Sequence, residues 1–313
     1  MPATPDAVIA HDYASAPCRA ASARFACGLA GVVGVCTLLG MALGGAGLLV
    51  LALAPGVLIL CFLREAFTRA VVPVQMTCTF CEAVGWMVPL CVVLFAGWRA
   101  VQPATRLPDA GTCDAAIASY AVTSYFLAGT LEELLKFAAL YRVHAAPVVV
   151  SPGALVVYGA AAALALAMIE NVLYVIATDH VVGLVRGLVV VPGHTLTGML
   201  IGVNLARRRF LAMKITLPNV LAMPVLLHGT YDYVLFLGDA HQDGHGGAAL
   251  FGCTLALAIC IVLSSACYLR YSYVEVVRRW HPKEHSPEDA NVWEKIHRGE
   301  VRARSPLESC HPG

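Results

Sequence analysis

The sequence predicts an all-α polytopic membrane protein with about eight transmembrane helices. Composition is the first sign: 59% of the residues are hydrophobic and only 13% are charged, where a soluble domain carries about 25% charged residues. Repeated apolar runs are the second, several of them long enough to supply the ~20 residues that a membrane-crossing helix needs. The formal net charge is +1, so the chain has no global field to attract nucleic acid, and a lipid bilayer is its expected surrounding. Twelve cysteines are scattered mostly through the apolar runs. The single CxxC, Cys78 to Cys81, has no second pair to complete a zinc or redox site and reads as small hydrophobes.

Residues 1–24 form a polar N-terminal segment containing Pro2, Pro5 and Pro17. The uncharged stretch from Phe25 to Leu63 is too long for a signal-peptide core and nearly twice the length of one span. Gly44, Gly45 and Gly47 near its middle suit a tight turn, which divides it into helices at about 25–43 and 47–63. A third helix is expected at 75–97, ended by Arg99, and a polar loop with Pro103, Pro108, Asp109 and Asp114 closes an N-terminal region, 25–114. The central region, 115–237, holds helices at 115–140, 152–177, 181–205 and 217–237. Ser151-Pro152 provides a cap and a first-turn proline for the second of these. A last span is expected at 247–270, followed by a polar tail, 271–313, in which Ser286-Pro287-Glu288-Asp289 starts a short surface helix over 287–299.

Basic residues set the orientation. Arg207, Arg208, Arg209 and Lys214 crowd one loop and the tail is rich in Lys and Arg, whereas the 238–246 loop has neither. The 206–216 loop and the C-terminus are therefore expected in the cytosol, and eight spans place the N-terminus there too. The 98–114 loop, with Arg99 and Arg106 offset by two aspartates, runs against the pattern. Arg186, at the start of its helix, is expected to snorkel to the interface.

Polar groups inside the apolar runs mark a site, because a charge at bilayer depth costs at least ~2.5–3.5 kcal/mol. Glu132, Glu133 and Lys136 sit in the middle of the 115–140 run. Lys136 shares a helix face with Glu132 at i,i+4 and with Glu133 at i,i+3. One lysine does not neutralise two acids, and such a carboxyl pair suits either general acid–base chemistry or a bound cation. Glu170-Asn171 and Tyr174 lie toward the end of the next helix, with Glu170 and Tyr174 on one face. Pro192-Gly193-His194 interrupts the following run, and Gly198 and Gly202 form a GxxxG suited to close helix packing. His228 and Asp232 are i,i+4 on the next helix, so both can ligate a metal, or Asp232 can orient the imidazole. Two histidines and carboxylates from separate helices make an oxygen and nitrogen cage fit for Zn2+. They equally suit a metal-free water activated by a carboxylate. The alternation Asp239, His241, Asp243, His245 reads as a solvated external loop.

These motifs resemble those of the PrsW family of intramembrane proteases, related to the CAAX-processing and bacteriocin-processing membrane proteases. Glu132-Glu133-Leu-Leu-Lys136, Glu170-Asn171-Val-Leu-Tyr174, His194-xxx-Gly198 and His228-Gly-Thr-Tyr-Asp232 stand in the family's order, each on its own helix, across about 115–237. The resemblance implies a four-helix core that hydrolyses peptide bonds of membrane-associated protein substrates. It implies that Glu132 and Glu133 activate water or help hold a metal, and that His194 partners that water or is a ligand. His228 and Asp232 would bind metal or stabilise the oxyanion, and Lys136, Glu170, Asn171 and Tyr174 would support them. If a metal is used, its ligands are expected among Glu133, His194, His228 and Asp232. Two other functions fit intramembrane acids and histidines: a non-catalytic scaffold of the same fold, and a proton or divalent-cation transporter, which should show inverted repeats that this sequence lacks.

Overall fold

The structure is a computed structural model that describes residues 45–67, 71, 73–87, 89, 113–146, 149, 151–177, 183, 185–239 and 247–280. All regular structure among the described residues is helical. Helix α1 is Gly45–Ala66, α2 covers residues 73–87, and α3 is Cys113–Val122. A run of wide π turns, Thr123–Glu132, joins α3 to α4, Glu133–His144. Helix α5 is Pro152–Ala177. A π segment, Arg186–Val190, leads into α6, Val191–Phe210. Helices α7, Leu217–Asp239, and α8, Gly247–Arg279, complete the bundle. Among the described residues, four helical stretches are long and apolar enough to cross a membrane: Pro152–Tyr174, Arg186–Phe210, Leu217–Gly238 and Ala248–Arg279.

Helix α5 is the axis. Residues 152–167 are all buried, as expected of a helix apolar on every side. Its small residues let α6 approach closely. A Cβ on Gly159 would lie 2.2 Å from the Gly198 carbonyl oxygen, and one on Gly202 would lie 2.4 Å from that of Leu155. The GxxxG of α6 is thus a packing device. Ala162 and Ala165 of α5 also meet Ala139 of α4 and Ala83 of α2 in one small cluster. Helix α8 lies outside, with most of its apolar surface exposed.

Prolines inside the helices leave carbonyls that lack a partner. Pro224 in α7 has no N–H for the Val220 carbonyl, and Asn204 Nδ2 of α6 donates to that oxygen instead, at 3.0 Å. Pro192, in the first turn of α6, comes directly after the π segment, whose wide turns change the spacing at the carbonyl that a proline ring would strike.

Some expected boundaries shift. Gly45 and Gly47 lie inside α1, where a turn was expected; Gly44, the helix at 25–43 and the segment 1–24 are outside the described residues. Of the expected 75–97 helix, residues 75–87 and 89 are described and all are helical. Helix α8 runs past residue 270 to Arg279, because buried Ser272 and Val276 and the edge-on ring pair of Tyr273 with Phe67 keep that stretch on the bundle. The 287–299 helix and the loop carrying His241, Asp243 and His245 lie outside the described residues.

Candidate functional site

The charged residues of four helices meet inside the bundle. Glu132 ends the π segment and Glu133 begins α4, and both are buried. Lys136 Nζ, 1% exposed, uses all three of its protons: it donates to Glu133 Oε1 at 2.5 Å, to His194 Nδ1 at 3.1 Å and to Thr197 Oγ1 at 3.1 Å. Thr197 Oγ1 is itself 2.9 Å from Glu133 Oε1. His228 Nδ1 donates to the same Oε1 at 2.6 Å. Glu133 is therefore held through Oε1, and it, not Asp232, holds the His228 ring through Nδ1. With Nδ1 carrying the proton, the neutral His228 ring presents a lone pair at Nε2.

That Nε2 points at two carboxylates. It lies 3.2 Å from Asp232 Oδ2 and 3.7 Å from Glu132 Oε2. Glu132 Oε2 is also 3.6 Å from His194 Nδ1. Among the described residues, Glu132 Oε2, Glu133 Oε2 and His228 Nε2 are all buried without a hydrogen-bond partner, and Glu132 Oε2 and His228 Nε2 face each other. Buried polar atoms are seldom left so, and each needs an explanation. Glu132, His194 and His228 each offer one ligand atom, and these atoms lie within 4.8 Å of one another. The sequence reading placed Glu133 and Asp232 among the metal ligands; the group that converges here contains Glu132, while Glu133 is tied to Lys136, Thr197 and His228.

A second layer surrounds His194. Its Nε2 is 3.5 Å from Glu170 Oε2. Arg186 Nη2 donates to that same oxygen at 2.9 Å, Arg186 Nε donates to Asn171 Oδ1 at 2.8 Å, and the guanidinium sits 3.9 Å from the centre of the Tyr174 ring. Asn171 Nδ2 donates to the Ala52 carbonyl of α1 at 3.1 Å. Arg186 thus does not snorkel to the interface as expected from sequence: it is 9% exposed and held by three side chains of α5. Tyr231 also escaped the sequence reading. Its ring stacks on His228 at 5.1 Å and stands edge-on to His194 at 6.2 Å, and the space it fills is kept by Gly193, whose Cβ would come within 3.1 Å of that ring.

With its acids ionised, the site has four carboxylates, Glu132, Glu133, Glu170 and Asp232, facing two fixed cations, Lys136 and Arg186. Two negative charges are left in a low-dielectric interior, which one divalent cation would balance. The donor set, with unpartnered Glu132 Oε2 and His228 Nε2 facing each other, therefore fits a metal.

A family model described as "PrsW family intramembrane metalloprotease" matches residues 37–266, well over half of the chain. The chain belongs to the PrsW family. The match is wider than the 115–237 core over which the motifs carry the resemblance. Among PrsW family proteins, the chain is 41% identical over 83 residues to Protease PrsW of Bacillus subtilis, covering 26% of this chain and 38% of that one. It is 30% identical over 122 residues to the Geobacillus kaustophilus protein of that name, covering 38% and 54%. To Protease PrsW of Halalkalibacterium halodurans it is 28% identical over 201 residues, covering 62% and 86%. The alignments thus span about half or less of the first two relatives. No solved structure matches. Family and apolar helices together make this an integral membrane protein.

Proposed function

We propose that this protein is an intramembrane endopeptidase that cleaves membrane-associated protein substrates at the cluster around Glu132. The observation that carries this is the convergence, inside a bundle of apolar helices, of Glu132, His194 and His228 with unpartnered Glu132 Oε2 and His228 Nε2. Glu132, His194 and His228 would hold a zinc ion, with Asp232 beside it; His194 would offer Nδ1, exchanging its hydrogen bond from Lys136 for the metal, while Nε2 stays toward Glu170. Zinc bound there supplies Lewis acidity toward a peptide carbonyl and brings the pKa of a bound water near neutrality. The chain's own residues prepare that site. Glu133 fixes the His228 ring and its tautomer; Lys136 and Thr197 fix Glu133. Asp232, partly exposed and 3.2 Å from His228 Nε2, is placed to accept a proton at Oδ2. In a metal-free version, the unpartnered Oε2 of Glu132 is the base for the water.

The surrounding topology belongs to the same reading. The chain crosses the bilayer about eight times, with residues 25–114 ahead of a catalytic core over 115–237, a last span near 247–270, and the tail and both termini in the cytosol. The basic loop at Arg207–Arg209 and Lys214 supports that orientation.

Elemental analysis of the purified full chain, beside a His194→Ala/His228→Ala double variant, tests the metal. About one zinc per chain is expected in the parent and none in the folded variant. New protein N-termini in membranes expressing the parent, absent with Glu132→Ala, test the peptidase. An identical set of N-termini in both would end the proposal.

A further inference from the structure

Arg186 belongs to none of the four motifs, yet it is buried beside them. A cation taken out of water is costly, by several kcal/mol even after relaxation. Here the compensation is specific and comes from one helix: Glu170, Asn171 and Tyr174 of α5 supply a carboxylate, an amide oxygen and an aromatic face. An arginine that only pinned α5 to α6 would need no further partner. Glu170 has one, because the Oε2 that accepts from Arg186 Nη2 at 2.9 Å also faces His194 Nε2 at 3.5 Å.

The backbone is arranged for this. Arg186 precedes His194 by eight residues, which on a regular α-helix point about 80° apart. The π segment Arg186–Val190 lies between them, and its wider turns remove part of that offset. Both side chains therefore reach the same oxygen of the neighbouring helix. Lys136 holds His194 from the other side, at Nδ1. The ring is hydrogen-bonded at Nδ1 and faces, at Nε2, a carboxylate that Arg186 aims.

We propose that Arg186 is a positioning residue for His194, acting through the Glu170 carboxylate. The Arg186–Glu170 pair fixes the Nε2 side of the ring, and so sets how His194 faces Glu132 and His228. This extends the site reading above, but it requires only that His194 be oriented, not that a metal be bound.

The test uses the full chain in detergent with 15N-labelled histidine. The His194 ring signals are identified by their loss in His194→Gln. In Arg186→Gln the Nε2 signal is expected to move, while the Nδ1 signal, held by Lys136, stays. Arg186→Lys, which keeps the charge, should bring Nε2 back toward the parent value. Asn204→Ala is the control for mere destabilisation: it removes a tie between α6 and α7 at the other end of α6, and should lower the thermal midpoint without moving Nε2. Arg186→Gln in a Glu170→Gln background should add nothing further. A parent-like Nε2 signal in Arg186→Gln, or an equal shift in Asn204→Ala, overturns the proposal. A Co2+ titration is read separately. Arg186→Gln is expected to bind Co2+ about 10–100-fold more weakly than the parent, as is usual when the partner of a ligating histidine is disturbed. A parent that binds no Co2+ counts against the metal reading alone, since the ring signals decide the role of Arg186 without it.

Discussion

Replacing Lys136 by methionine should cost about 3–5 kcal/mol of stability, the usual result of removing one member of a buried ion pair. The size follows from what the ammonium touches. Its three protons go to Glu133, His194 and Thr197, at 2.5, 3.1 and 3.1 Å. The side chains of the pair are 1% and 0% exposed, so the ~0–1 kcal/mol typical of surface pairs does not apply. Methionine nearly matches the lysine stem, so a cavity adds little and the loss is electrostatic: Glu133 stays as a buried carboxylate supported only by His228 and Thr197. Adding Glu133→Gln should restore part of the loss, because a neutral amide keeps an oxygen for His228 Nδ1 and needs no cation. The coupling between the two substitutions should fall within the ~0.5–3 kcal/mol seen for residues in contact. Unfolding in mixed SDS micelles, followed by circular dichroism, gives all four corners of the cycle. A cost below about 1 kcal/mol for Lys136→Met, or a double variant as unstable as the two single losses added, would refute the assignment of Lys136 to Glu133.

The helix crossings give further tests by the same unfolding assay. Gly198→Ala puts a Cβ 2.4 Å from the Gly159 carbonyl oxygen and 2.5 Å from Ala163 Cβ; the helices must part, with a loss of about 1–3 kcal/mol and weaker Co2+ binding, since His194 is one turn away. Gly252→Ala in α8 meets nothing within 4 Å and should gain about 0.5–1 kcal/mol. Asn204→Ala leaves the Val220 carbonyl without its donor and should cost about 1–3 kcal/mol, and less in a Pro224→Ala background, where a backbone N–H is again on offer. Tyr231→Phe removes a buried hydroxyl that has no hydrogen-bond partner among the described residues, so the thermal midpoint should hold or rise.

What sequence could and could not give divides along a physical line. Run length and caps are one-dimensional, so the Pro152–Ala177 helix was legible from its apolar run and from Ser151-Pro152. The four motif-bearing helices were legible in the same way, and the structure brings Glu132, Glu133, His194, His228 and Asp232 together from three of them. Arg186 was misread because hydropathy measures depth and says nothing about partners; the available signal was Glu170-Asn171 a short connection earlier, a carboxylate and an amide awaiting a cation. Thr197 shares the His194 face, but a threonine in a helix commonly bonds its own backbone, as this one also can with the His194 carbonyl at 2.9 Å, so nothing distinguished it. The roles of the two glutamates were beyond reach for a different reason. Adjacent residues differ by about 100° of helix phase, and the π turns that end at Glu132 change that phase in a way no spacing rule anticipates. The spacing offered Lys136 to Glu132 at i,i+4 and to Glu133 at i,i+3 alike, and the ammonium sits on Glu133. Glu133 Oε1 takes Lys136, Thr197 and His228 Nδ1, whereas Glu132 turns an unpartnered Oε2 toward both histidines. The fold thus turns two equivalent-looking acids into one anchored through Oε1 and one whose open oxygen faces the two histidines, and a site able to hold a cation or activate a water needs both.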